Sequence, residues 1–256
     1  MKRFGRFLAI GLVALALCVT LTGQTVWAQQ PASTKNAPAH VITDEETTAS
    51  VPALSEMHKV VYPLWHTAYA EKNYALIKEL LPRADTLVAA LDAAKLPGIL
   101  REKQEAWDAG KVDLKSALSQ LHDAAKADNQ EQMLKQTEAF HAAFERLART
   151  VHPVVPELAA FHQELYKLYH YYTPQHDLAK IRETAARMEE KVAALKEAKL
   201  PKRLADRQEK YNASVLELES DVKELSATVK TDAKDKIHEA VEKVHAAYQK
   251  TEKLFD

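Results

Sequence analysis

Eleven histidines stand in this chain, and six of them form pairs exactly one interval of 104 residues apart: His58 with His162, His66 with His170, and His141 with His245. Tyr62 and Tyr166 pair at the same interval, whereas His40, His122, His152, His176 and His238 have no histidine mate. Neutral imidazole nitrogens bind Zn(II), Cu(II) and Ni(II), and they also take part in buried hydrogen-bond networks. Glu105 and Glu209 are the carboxylates that could complete a metal shell, and Gln104 and Gln208 are amides at the same recurring places.

The histidine pairs belong to a longer self-similarity. Residues 51–152 align without a gap onto residues 155–256, with about 32 identical positions. The clearest blocks are Val51-Pro52-x-Leu54 with Val155-Pro156-x-Leu158, Ala94 to Pro97 with Ala198 to Pro201, and His141-Ala142-Ala143-Phe144 with His245-Ala246-Ala247-Tyr248. Such a repeat predicts an internal duplication: residues 51–152 as a first unit and 153–256 as a second. Helices are expected near 53–71, 74–93, 98–126 and 129–150, and again near 157–175, 178–197, 202–230 and 233–254. The breaks fall at Asn73, at Leu96-Pro97-Gly98 and at Asp128, where Glu131 completes a capping-box spacing. Short connections between helices of similar length favour antiparallel neighbours, so the expected fold is all-α, with two tandem up-down-up-down four-helix bundles.

Bundle topology then places the chemistry. At about 1.5 Å of rise per residue, His141 on the fourth helix lies level with the stretch from His58 to His66 on the first. Gln104 and Glu105 on the third helix reach the same height. The expectation is a polar layer in the core of each bundle: His58, Tyr62, His66, Gln104, Glu105 and His141, walled by Trp65 and Trp107. Its counterpart is His162, Tyr166, His170, Gln208, Glu209 and His245, walled by Tyr169 and Tyr211. In the third helix, Leu100, Gln104, Trp107, Lys111, Leu114, Leu118 and Leu121 recur at helical spacing, so an amide is expected to interrupt the buried seam. Positions 58, 62 and 66 drift by about 40° per step, and His58 and His66 lie about 12 Å apart along the axis, so one ion does not easily join both.

Four readings follow. The layer is a structural network without a ligand, or a Cu or Zn site in each repeat built on the paired histidines with Glu105 and Glu209. A third reading comes from likeness: with Met57 beside His58 on the first helix and His141 on the fourth, each repeat resembles the soluble b-type cytochromes of the four-helix-bundle kind. That resemblance implies non-covalent haem b between the first and last helices. Met57 is answered by Phe161 in the second copy, so the methionine of that family is not repeated. Each repeat is also similar in architecture to cytochrome c-prime bundles, but no Cys-x-x-Cys-His is present for covalent attachment. The fourth reading is a periplasmic adaptor or chaperone-like protein that docks a protein partner, in which case the unusual residues should lie outside the bundles.

The remaining sequence bounds the setting. Lys2, Arg3 and Arg6 precede the apolar run from Phe7 to Leu21, followed by Val26-Trp27-Ala28, so residues 1–28 read as a signal peptide. An exported chain is expected, with the periplasm as its compartment, secretion or an N-terminal anchor as alternatives, and no membrane contact after cleavage. Residues 29–50, rich in Pro, Ala, Ser and Thr, read as a disordered tether. Cys18 is the one cysteine, so cleavage leaves no thiol for disulfides or thiolate metal sites. Removal of the signal leaves 32 basic against 36 acidic residues, a net charge of −4 that points away from nucleic acid. No nucleophile triad, phosphate loop or His-Glu-x-x-His pattern is present, so an enzyme is not expected.

Overall fold

The computed structural model describes residues 41–255. The expected signal peptide, Cys18 and residues 29–40 of the expected tether lie outside the described residues. Among the described residues there is no strand, and the protein is all-α. No helix among them is long and apolar enough to cross a membrane.

Proline, asparagine and aspartate set the helix boundaries. A short turn, α1 (Asp44–Thr47), lies within the segment read as a tether and buries Thr47. Helix α2 (Pro52–Pro63) opens with proline, whose fixed φ suits a first helical turn, and continues as a π-helical stretch over Leu64–Tyr69. The Asn73 side chain accepts from the Leu76 amide at 3.0 Å and starts α3 (Tyr74–Ala93). A 3-10 turn over Gly98–Lys103 runs into α4 (Gln104–Lys126), and α5 follows (Gln130–Val151). The cap expected at Asp128 is supplied by Asn129, which accepts from the Gln132 amide at 3.1 Å. Asp128 is unsuited because it takes the left-handed conformation, φ 51°, that closes α4.

The second half continues with α6 (Pro156–Lys167), a π-helical stretch over Leu168–Tyr172, and the short α7 (Thr173–Gln175). Then come α8 (Leu178–Glu197), a 3-10 turn over Lys202–Arg207, α9 (Gln208–Thr228) and α10 (Lys234–Glu252). Left-handed non-glycine residues close helices at Lys72, Asp128, His176 and Asp232.

Helices α2 to α5 share one apolar cluster that includes Leu54, Met57, Trp107, Phe140 and Leu147. Helices α6, α8, α9 and α10 share another, with Phe161, Leu165, Met188, Tyr211 and Val244. Tyr166 is the exception: it lies on α6 yet belongs to the first cluster. Burying a large apolar side chain contributes about 1.5–3 kcal/mol relative to leaving it in water. Phe161, fully buried, should therefore lose about 3–5 kcal/mol on substitution by alanine, in urea unfolding followed by circular dichroism. Leu216→Ala, at a position 55% exposed, should change stability by less than about 0.5 kcal/mol. Equal effects at the two positions would contradict the packing of α6.

Candidate functional site

On α2 the inward positions are Leu54, Met57, Val60, Val61 and Leu64. That choice leaves His58, Tyr62 and His66 on the outer flank, one turn apart, and all three are exposed. Their rings follow one another along the surface, with centroids 5.9 Å apart for His58 and Tyr62 and 4.5 Å for Tyr62 and His66. The π-helical stretch carries Trp65 across to α5. There the indole lies between two rings, stacked on His141 at 4.2 Å and on Tyr69 at 4.3 Å. Tyr69 donates to Glu138 at 3.4 Å, and His58 stacks at 6.1 Å on Phe144. Together they form a ridge of imidazole and aromatic rings from α2 to α5. Burial lowers the His141 pKa; Glu145 opposes this, and the nearby His66 and His58 add to it.

The structure therefore corrects the expected core layer. Its histidines and Tyr62 stand on the outside of the first half, and the third-helix residues do not join them. Gln104 and Glu105 are exposed, with the Gln104 amide donating to Asp108 on its own helix at 2.9 Å. Trp107 is fully buried in the apolar cluster instead of walling a polar site. Gln208 caps the preceding connection: its oxygen accepts from the Leu200 amide at 2.9 Å, and its nitrogen donates to Asn212 at 2.8 Å. Glu209 is exposed, and Tyr211 is buried with its hydroxyl donating to the Leu195 carbonyl at 2.9 Å. The reason is rotational. The α4 and α9 seams run through Trp107 and Leu114, and through Tyr211 and Leu218, which turns the residues of the first helical turn away from the core.

On the second half the matching rings take a similar arrangement. Tyr166 lies 6.4 Å from His162 and 4.8 Å from His170, Tyr169 stacks on His245 at 4.1 Å, and His162 stacks on Tyr248 at 4.6 Å. This ridge is covered. Tyr166 is 1% exposed, whereas Tyr62 is 55% exposed. The cover comes from α1 and the Gly98–Lys103 turn. Tyr166 donates to Glu46 at 2.7 Å, Tyr171 also donates to Glu46, and the Arg101 guanidinium donates to the Tyr166 hydroxyl while lying 4.8 Å over its ring. Glu102 meets His245 Nε2 at 3.0 Å and accepts from Gln249 at 2.9 Å, and Lys103 pairs with Glu252 at 2.8 Å.

These contacts shift the ionisable groups. The hydrogen bond from His245 holds Glu102 down at about 2. Burial holds His162 and His170 at about 4, with the Arg101 charge adding to the effect at His170. Burial, with Glu242 alongside, pushes Tyr169 up to about 12. Burial and the Glu46 hydrogen bond raise Tyr166 further.

Glu46, Arg101, Glu102 and Glu252 carry no motif, and sequence reasoning passed over them. One signal was present. Gly98 is one of two glycines after residue 28, and a Cβ there would stand 2.6 Å from the Tyr166 hydroxyl.

Among the described residues no three His, Cys, Asp or Glu side chains gather closely enough to hold one ion. Met57 and Phe161 are fully buried in the apolar clusters, whereas His58 and His66 are exposed.

Because His162 and His170 stay neutral down to about 4 against an ordinary 6.5, the folded state binds fewer protons than the unfolded chain between those values. Stability should fall as pH drops from about 6.5 toward 4. Glu102 acts in a lower window, stabilising above its ordinary 4.5 and losing that contribution as pH falls through about 2. Urea midpoints at pH 7 and pH 5 should therefore separate, and His162→Gln should narrow the gap. An unchanged gap would show that His162 is not the buried neutral group. The chain matches no protein-family model, and neither curated proteins nor solved structures show a match to it.

Proposed function

We propose that this is an exported protein of two tandem four-helix bundles, arisen by duplication, that acts as an interaction module. Its docking surface is the ridge of His58, Tyr62, Trp65, His66 and His141. One observation carries the reading: two ridges of matching histidines, tyrosine and aromatic rings exist, and the one on the second half is covered while the one on the first half is open, Tyr166 at 1% exposure against Tyr62 at 55%. A ridge kept for internal packing alone has no need of an exposed duplicate. Support for the duplication comes from the 104-residue alignment, from left-handed closures at Lys72 and His176 and at Asp128 and Asp232, and from π-helical stretches over Leu64–Tyr69 and Leu168–Tyr172. Stacked aromatic and imidazole rings suit docking because they bring large contact area with few rotatable bonds.

A transition-metal ion, Cu or Zn, at the same ridge is the second reading. It is favoured by the closeness of His58 and His66 to His141, near enough that their protonation would disfavour its own. On that reading His141 and one of the other two imidazoles are the donors, and the remaining ligands are water or partner groups.

The deciding experiment places a photo-crosslinking amino acid at position 66 of the full chain in its native compartment, with a matching probe at exposed position 216. The docking reading expects a discrete adduct from position 66 that Tyr62→Ala or His141→Ala removes. Both variants should stay folded, Tyr62→Ala within about 0.5 kcal/mol of the wild-type unfolding free energy and His141→Ala within about 1.5 kcal/mol. No adduct, or adducts indifferent to these substitutions, would overturn docking. Elemental analysis of the same protein tests the second reading, which expects metal that His141→Ala releases.

A further inference from the structure

The covered ridge shows what chemistry such a ridge accepts, and this inference rests on the docking reading while naming what docks. The 98–103 turn brings glycine where a Cβ has no room, 2.6 Å from the Tyr166 hydroxyl. It brings Arg101 over the Tyr166 ring at 4.8 Å and Glu102 onto His245 at 3.0 Å. From α1, Glu46 takes the hydrogen bond of the Tyr166 hydroxyl at 2.7 Å.

The receiving residues recur in the first half. His58, Tyr62, His66 and His141 are unchanged in type, Trp65 stands for Tyr169, and Phe144 for Tyr248. The inserting residues do not recur. At the 104-residue interval, Gly98 is answered by Lys202, Ile99 by Arg203, Arg101 by Ala205 and Glu102 by Asp206, while Glu46 on α1 precedes the repeat and has no counterpart in it. A second copy of this chain therefore offers a lysine where no Cβ fits and no guanidinium for the tyrosine ring. A head-to-tail contact between identical units propagates into open filaments, and these replacements remove the inserting chemistry from the second half.

We propose that the open ridge receives a helical turn of a different protein with the pattern seen at residues 98–102: a glycine against the Tyr62 hydroxyl, a cation over its ring, and a carboxylate accepting from His141. In one place the two ridges differ in charge. Glu145 stands where Gln249 donates to Glu102, and Arg149 on the same helix pairs with it at 3.7 Å, which supplies the cation beside the partner's carboxylate.

Restoring the missing chemistry to the second half makes the test. The full chain carrying K202G, R203I, A205R and D206E presents on the second half what the 98–103 turn presents internally. Analytical ultracentrifugation should then show concentration-dependent head-to-tail oligomers, absent from the unmodified chain. Adding His141→Ala or Tyr62→Ala should weaken that association by at least about tenfold. A helical variant that sediments like the unmodified chain, or that associates regardless of His141 and Tyr62, overturns the proposal. If the quadruple variant does not fold, a peptide spanning Lys95–Ala106 is titrated into the unmodified chain while Trp65 emission is followed. A saturable change that Tyr62→Ala abolishes is expected, and its absence overturns the proposal. A crosslink from position 66 together with a failed graft and peptide would leave docking standing and remove this partner chemistry, so the two can fail separately.

Discussion

The Tyr166 hydroxyl, enclosed between two halves of the chain and hydrogen-bonded to Glu46, is the contact on which the rest of the arrangement depends. A buried phenol without a partner would cost about 1–3 kcal/mol, so the side chain can be enclosed only where a polar group meets it. Glu46 meets that need and Arg101 balances the carboxylate. Around them several otherwise unrelated features find their cause. The α1 turn is placed by Glu46, the 98–103 turn begins with a residue lacking Cβ, and Glu102 and Lys103 extend the contact to His245 and Glu252.

The same contact explains why matching residues take on different electrostatic character. His162 and His170 are enclosed by the cover and held neutral at about 4. Their counterparts His58 and His66 stand exposed on α2 and its π-helical continuation. Identical side chains on similar helices thus differ in how far they are withdrawn from water. That difference separates a structural ridge from one available to another molecule.

Much of the helical framework was legible in the sequence. Apolar spacing and the breaks at Asn73 and Pro97 located the helices, and the 3.6-residue period identified Leu114, Leu118 and Leu121 as buried. The heights of His58, Tyr62, His66 and His141 along their helices were also legible, because rise per residue sets the height of a side chain along its helix. Which way those side chains face was not. A turn of one residue, about 100°, carries a position from the core to the surface, and the near-continuous apolar choices on α2 left that rotation open.

The sequence by itself determined an all-α chain, the heights of its chemical groups, and the recurrence of one histidine and tyrosine pattern at 104 residues. Only the tertiary structure decided that His58, Tyr62 and His66 lie on an outer flank, that Gln104 and Glu105 stand apart from them, and that the second ridge is covered, with Tyr166 drawn into the first apolar cluster, while the first is open. Height and period are properties of one helix and follow from its own residues. Facing and cover depend on contacts between residues such as Glu46 and Tyr166, 120 positions apart, which no local pattern encodes.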